Sequence, residues 1–127
     1  MKKIVSLFVF VLAVFLLSSF TIKQNTLTKK PVQQKELIAK GKALFTSKTC
    51  TTCHKVDTKL VGPALKTIAK TYAAKKGDLL KFFKGESKSI VDPVMAAIME
   101  ANIQAITKPM KDADLKALKA YIESTIK

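Results

Sequence analysis

The sequence predicts an all-α domain of four to five short helices. Three observations carry this. Apolar residues recur at helical spacing in several stretches. Capping residues, prolines and glycines punctuate those stretches where helices start and stop. No segment alternates apolar and polar residues in a strand-like way, and hairpin turn signals are missing.

The elements follow in order. Glu36–Phe45 carries Leu37, Ile38, Leu44 and Phe45 as an apolar stripe, with Gly41 between them. A glycine inside a helix costs about 1 kcal/mol against alanine, so Gly41 predicts a close backbone approach. Pro63 stands at the first turn of a second helix, Ala64 to Ala74, with Leu65, Ile68, Ala69 and Tyr72 on one face. Gly77 separates it from a short helix, Leu79 to Lys84, capped by Asp78 and closed by Gly85. Leu79, Phe82 and Phe83 face inward there. Asp92 and Pro93 predict an N-cap and first helical position for a helix running toward Glu100. Ala101 to Lys111 reads as irregular. Asp112 is expected to cap the last helix, with Leu115, Leu118, Tyr121 and Ile122 as its stripe.

The two cysteines and the single histidine of the 127-residue chain lie in one pentapeptide, Cys50-Thr51-Thr52-Cys53-His54. This is the C-x-x-C-H pattern of covalent c-type haem attachment. Two thiols three positions apart can add across the two vinyl groups of one porphyrin. The adjacent imidazole can then bind the iron axially. A zinc site wants four ligands, and three packed this tightly cannot close a tetrahedron. A thioredoxin-like dithiol wants a strand leading into the motif, whereas the preceding residues read as helix. A disulfide across this spacing would close a small, strained loop and staple little chain.

Residues 1–22 read as an export signal or N-terminal membrane anchor. Lys2 and Lys3 precede an apolar run from Ile4 to Leu17 broken by Ser6. Ile4 to Ile22 is just long enough to span a bilayer if uncleaved. No cysteine follows the run to serve a lipoprotein anchor. Residues 23–34 are polar, basic and interrupted by Pro31, and predict a flexible linker. The functional domain is then 35–127, a size at which a buried haem would supply the apolar centre the helices lack.

Every one of the 23 basic residues is a lysine, and residues 35–127 carry a formal +9. Such a surface suits an acidic protein partner or a generic solvated face. Nucleic acid is disfavoured by export and by the lack of arginine.

The chain resembles the small monohaem class I c-type cytochromes, the cytochrome c and c551-like carriers, over roughly residues 36–125. The resemblance rests on Cys50 to His54, on Gly41 and Phe45 before it, on Val61-Gly62-Pro63-Ala64-Leu65 after it, and on Asp114 to Ile122 at the end. It implies a cytochrome c-like fold around one covalent haem c, in the periplasm or another extracytoplasmic space. It implies that Gly41 lets the first helix cross the last near Tyr121. It implies that the Pro63 carbonyl accepts a hydrogen bond from the His54 ring, fixing the imidazole plane. A methionine would be the sixth iron ligand, opposite His54. Met99 is preferred by its spacing from His54, ahead of Met95 and Met110. No proline flanks Met99, a departure from the usual Met-Pro pattern.

The expected function is electron transfer by a monomer, with His54 and Met99 on the iron and no enzymatic chemistry. No carboxylate pair, nucleophile–base pair or phosphate loop is visible. The alternatives are a haem enzyme or gas sensor with an open sixth site, and an exported thiol oxidoreductase.

Overall fold

The structure, a computed structural model, describes residues 29–127. The predicted export segment and residues 23–28 of the predicted linker lie outside the described residues. Among the described residues five α-helices form: α1 (Lys29–Ser47), α2 (Leu65–Ala74), α3 (Leu79–Phe83), α4 (Ala96–Asn102) and α5 (Asp112–Ser124). A 3₁₀ turn, Cys50–Thr52, follows α1, and a π-helical turn, Ile103–Thr107, continues α4. Among the described residues β pairing is limited to an isolated bridge between His54 and Lys59. The all-α expectation holds.

Helix α1 begins earlier than the sequence suggested. Lys29 to Gln34, assigned to the flexible linker, are helical. Pro31 falls in the first turn, where its missing N–H has no intrahelical partner to lose. The residues from Pro31 to Glu36 are exposed, so this extension adds no core face and left no apolar signal to find.

Asp78 caps α3 as expected, its Oδ1 accepting from the N–H groups of Leu80 and Lys81 at 2.8 and 3.3 Å. Gly85 closes that helix at φ +73°, a left-handed conformation that favours glycine. Three other expectations need correction. Asp92 does not start a helix directly. Its Oδ1 accepts from Val94 and Met95 N–H at 3.1 and 3.2 Å, and α4 begins only at Ala96. Ala101–Lys111 is helical through Thr107 rather than irregular, since the π turn carries α4 onward without a break. Asp112 is the first residue of α5, not its cap, and its carboxylate instead meets Lys84 Nζ at 2.9 Å.

The core gathers Leu65, Ala69, Leu79, Phe82, Phe83, Ile103, Leu115, Leu118 and Ile122 from α2, α3, the π turn and α5. Helix α5 packs against both α2 and α3. Helix α1 crosses α5 at Gly41. A Cβ there would overlap the Ala117 carbonyl oxygen and stand 2.7 Å from Tyr121 Cβ. Beside the crossing, the Phe45 and Tyr121 rings meet at 5.5 Å, and Lys40 pairs with Asp114 at 2.7 Å. Gly41→Val should therefore lower stability by about 1–3 kcal/mol or more, the cost of overpacking against backbone that cannot yield. Denaturant unfolding checks this, and a loss under about 0.5 kcal/mol would show the crossing to be loose.

Candidate haem site

The 3₁₀ turn after α1 sets the haem motif. Thr49 adopts a left-handed conformation (φ 57°) that turns the chain out of α1. Cys53 and His54 N–H groups then both donate to the Cys50 carbonyl, at 3.2 and 3.0 Å. This puts the two thiols and the imidazole on one short, hydrogen-bonded turn. Both cysteines are unbonded and half-buried. Burial pushes the Cys50 thiol up; a backbone hydrogen bond opposes this and the neighbouring Cys53 adds to it.

The loop from Lys55 to Ala64 folds back on the motif. Gly62 N–H donates to the Cys53 carbonyl at 2.8 Å, and Leu65 N–H to the Lys55 carbonyl at 2.9 Å. His54 Nδ1 lies 2.7 Å from the Pro63 carbonyl. The carbonyl can only accept, so Nδ1 carries a proton, and in the neutral ring that leaves the lone pair on Nε2. An imidazole held this way has one nitrogen anchored to protein and the other free for a metal. The sequence alone assigns Gly62 no role. The structure gives one: a Cβ there would overlap His54 Cε1 and stand 2.8 Å from Nε2. Gly62 clears the space the ring occupies. The adjacent Pro63 was the available signal, since only a residue without a side chain lets that loop lie on an imidazole.

Cys50, Cys53, His54 and Pro63 open onto a cleft of about 910 Å³, counting the space open to solvent at its mouth. Its walls are mostly apolar: Phe45, Leu65, Ile68, Phe82, Phe83, Leu118 and Ile122 from the helices, with Val61 and Ile98 at exposed positions. Met95 and Met99 both line the cleft. Met110 does not; it packs on the core outside it. Met99 sits in α4, with its N–H on the Met95 carbonyl at 3.1 Å. Among the described residues, the Tyr72 hydroxyl is buried without a hydrogen-bond partner.

Asp92 ties the two sides of the cleft together. Its Oδ1 holds the N–H groups that precede α4, and its Oδ2 accepts from Lys59 Nζ, in the loop after His54, at 3.2 Å. The Met95 N–H, then Lys59, hold its carboxyl below the usual aspartate range against some desolvation. A carboxyl depressed in the folded chain stabilises it above the unfolded value, about 3.9, and loses that contribution as pH falls through the lower folded value. The thermal midpoint of the wild type should therefore fall more steeply below about pH 4 than that of Asp92→Asn. Parallel acid profiles for the two would remove Asp92 from the account.

A family model described as Cytochrome c matches residues 38–125. The chain belongs to the cytochrome c family. It is 44% identical over 64 residues to cytochrome c-551 of Stutzerimonas stutzeri, a stretch covering 48% of this chain and 62% of that protein. Against cytochrome c-552 of Nitrosomonas europaea the identity is 42% over 74 residues, 58% of this chain and 66% of the relative. Against cytochrome c-551 of Pseudomonas aeruginosa it is 39% over 54 residues, 40% and 52% of the two chains. The chain thus matches about half to two thirds of the length of these relatives. With a single C-x-x-C-H motif it is a small monohaem class I c-type cytochrome, and its cofactor is one covalently bound haem c. The residues present fit that group: two unbonded thiols, an imidazole anchored at Nδ1 by the Pro63 carbonyl, and an apolar cleft onto which all three open.

Proposed function

We propose that this cytochrome is an exported electron carrier whose haem is joined to Cys50 and Cys53 and whose iron is bound by His54 and Met99. Haem c, when bound, supplies a one-electron ferric/ferrous couple. The chain's own residues do the rest. The observation that carries the reading is the 2.7 Å contact from His54 Nδ1 to the Pro63 carbonyl, on a turn where both thiols face the cleft that Met99 lines. The hydrogen bond fixes the imidazole plane and strengthens Nε2 as a donor. Met99 would offer the iron a thioether, a soft ligand that favours the ferrous state and raises the potential. The apolar walls would limit water around the haem. Cys50 and Cys53, half-buried, would hold it covalently, and the bound group would supply the electron exchanged with a docked partner. Residues 1–22 would direct the chain across a membrane, with residues 35–127 as the carrier domain. No helix of the described residues is long and apolar enough to cross a membrane.

The test is carbon monoxide binding to the reduced holoprotein. A carrier whose iron stays held by both His54 and Met99 would not bind it. Ready binding, without a methionine-to-iron charge-transfer band in the ferric form, would replace this reading with an open-site sensor or enzyme.

The lysine surface bears on partners. With 18 lysines against 9 acids in residues 35–127, encounter with an acidic redox protein is steered by long-range attraction. The exchange rate should fall as ionic strength rises to about 0.15 M, where the Debye length is about 8 Å. A rate indifferent to salt in stopped-flow measurements would remove the lysines from docking.

A further inference from the structure

Helix α4 brings Met99 to the cleft, yet little apolar burial holds it there. None of its seven residues is fully buried. Ile98 is exposed, and Val94, just before the helix, is 87% exposed. The far end of α4 is secured. The π turn that continues it buries Ile103 and Thr107, and the Thr107 hydroxyl donates to the Phe83 carbonyl at 2.7 Å. A second cleft, about 460 Å³ counting the space open to solvent, lies between α4 and the chain over 85–88. Lys88 reaches Glu100 there at 3.0 Å, but its side chain stands almost wholly in solvent, and such pairs contribute little. No proline flanks Met99 to stiffen the backbone beside it. The near end of α4 depends on Asp92. Its Oδ1 accepts from the Val94 and Met95 N–H groups, and the Met95 carbonyl accepts from the Met99 N–H. Its Oδ2 accepts from Lys59 Nζ at 3.2 Å, with only 15% of the Asp92 side chain exposed. Lys59 belongs to the loop whose Gly62 N–H bonds the Cys53 carbonyl and whose Pro63 carbonyl anchors His54. Hydrogen bonds thus run from the imidazole side of the cleft to the methionine side, and they meet at Asp92.

We propose that Asp92 is a positioning residue for Met99: through Lys59 it ties the turn before α4 to the loop that holds His54, and so sets how readily the Met99 thioether yields its place on the iron to another ligand. Two ligands on opposite sides of one metal need a fixed separation. The loop fixes one and α4 carries the other, and the Lys59–Asp92 pair sets the distance between them. Opening this tie frees the near end of a helix that has no buried residue to hold it, a local event that leaves the core of α2, α3 and α5 packed. The exchange itself moves no electron and no net proton, since one neutral donor leaves as another neutral donor binds. The proposal rests on the reading of Met99 as an axial ligand.

The experiment titrates ferric holoprotein with imidazole at about pH 8, where free imidazole is mostly neutral, and follows the Soret band and the methionine-to-iron charge-transfer band. Lys59→Gln removes one end of the tie, and the apparent imidazole affinity should rise about two- to five-fold. Asp92→Asn keeps Oδ1 for the two N–H groups but loses the charge, and should give a similar rise. The double variant should rise no further than either single one, because both remove the same pair. Asp92→Ala also loses the bonds to Val94 and Met95, and should raise the affinity about ten-fold or more. Lys40→Gln removes an equal charge from the Lys40–Asp114 pair at the α1–α5 crossing and should leave the affinity in place. Unchanged affinity in both Lys59→Gln and Asp92→Asn overturns the proposal. So does an equal rise in Lys40→Gln, or a fully additive rise in the double variant. If Asp92→Ala fails to retain haem, Lys59→Gln still decides, since it alters a side chain that is 66% exposed. The wild-type spectrum separates the two failures. A ferric form without the charge-transfer band refutes the Met99 reading and this proposal with it, whereas a band present beside indifferent variants refutes only the role of Asp92.

Discussion

A chain carrying both Cys50→Ala and Cys53→Ala is expected to keep no haem through acid–acetone extraction and to lose most of its cooperative thermal unfolding. The two losses have one cause. The cleft of about 910 Å³ is walled by side chains that also make the core, among them Leu65, Phe82, Phe83 and Leu118. With haem seated, the cleft-facing sides of those walls would pack on it. Without it they would lose that contact, and the helices are short: α3 has five residues and α4 seven. Helices of that length depend on tertiary packing, because isolated ones below roughly 12 residues are marginal in water. A domain of this size holds only about 5–15 kcal/mol of stability in total, so loss of its centre cannot be absorbed. Each single cysteine variant should retain one thioether and fall between wild type and the double variant. His54→Ala should keep the covalent link but lose the proximal ligand, visible as a changed Soret band. Haem surviving extraction in the double variant, or an unchanged melt, would sink the covalent assignment.

What the sequence made legible divides by range. The Asp78 cap, the Gly85 stop and the core stripe of α5 are local: side chain and backbone partner lie within a few residues, and pattern suffices. The cysteines and histidine are legible because their chemistry needs fixed spacing along one turn. Gly41 could be read because a glycine inside an amphipathic helix wants an explanation, and Ala117 supplies it. The misreadings came where a residue with cap chemistry found a distant partner. Asp112 looked like an N-cap, but Lys84, 28 positions away, holds its carboxylate. Asp92 looked like a helix start, but it closes a turn and reaches Lys59, 33 positions away, so α4 begins late. The π turn after Asn102 has no composition signature. It is supported by Thr107, whose hydroxyl donates to the Phe83 carbonyl at 2.7 Å, a contact no local pattern encodes. Tyr72 read as one more residue of an apolar stripe, and only the folded chain shows its hydroxyl sealed and unanswered.

Met99→Ala is expected to abolish the methionine-to-iron charge-transfer band of the ferric form, lower the potential and open the reduced iron to carbon monoxide. Three methionines competed for this role in the sequence. Met110 does not line the cleft, so Met110→Ala should leave the band intact and cost only packing. Met95 and Met99 do line it, one turn apart, and their situations differ. Met95 precedes α4, where its N–H is held by Asp92 Oδ1 at 3.2 Å. Met99 lies inside α4 and packs on the core cluster, where a regular helix fixes the direction of its side chain. A thioether that must meet iron in both oxidation states benefits from that fixed backbone. Its removal would take away the soft ligand that favours ferrous iron. The potential would therefore fall, and the iron would be left open to an exogenous ligand. Met95→Ala should keep the band and lose at most the packing of a half-buried side chain. The paired variants decide between them. A band that survives Met99→Ala and vanishes in Met95→Ala would transfer the ligand to the residue before α4. The turn closed by Asp92, rather than the helix, would then be the element that aims it.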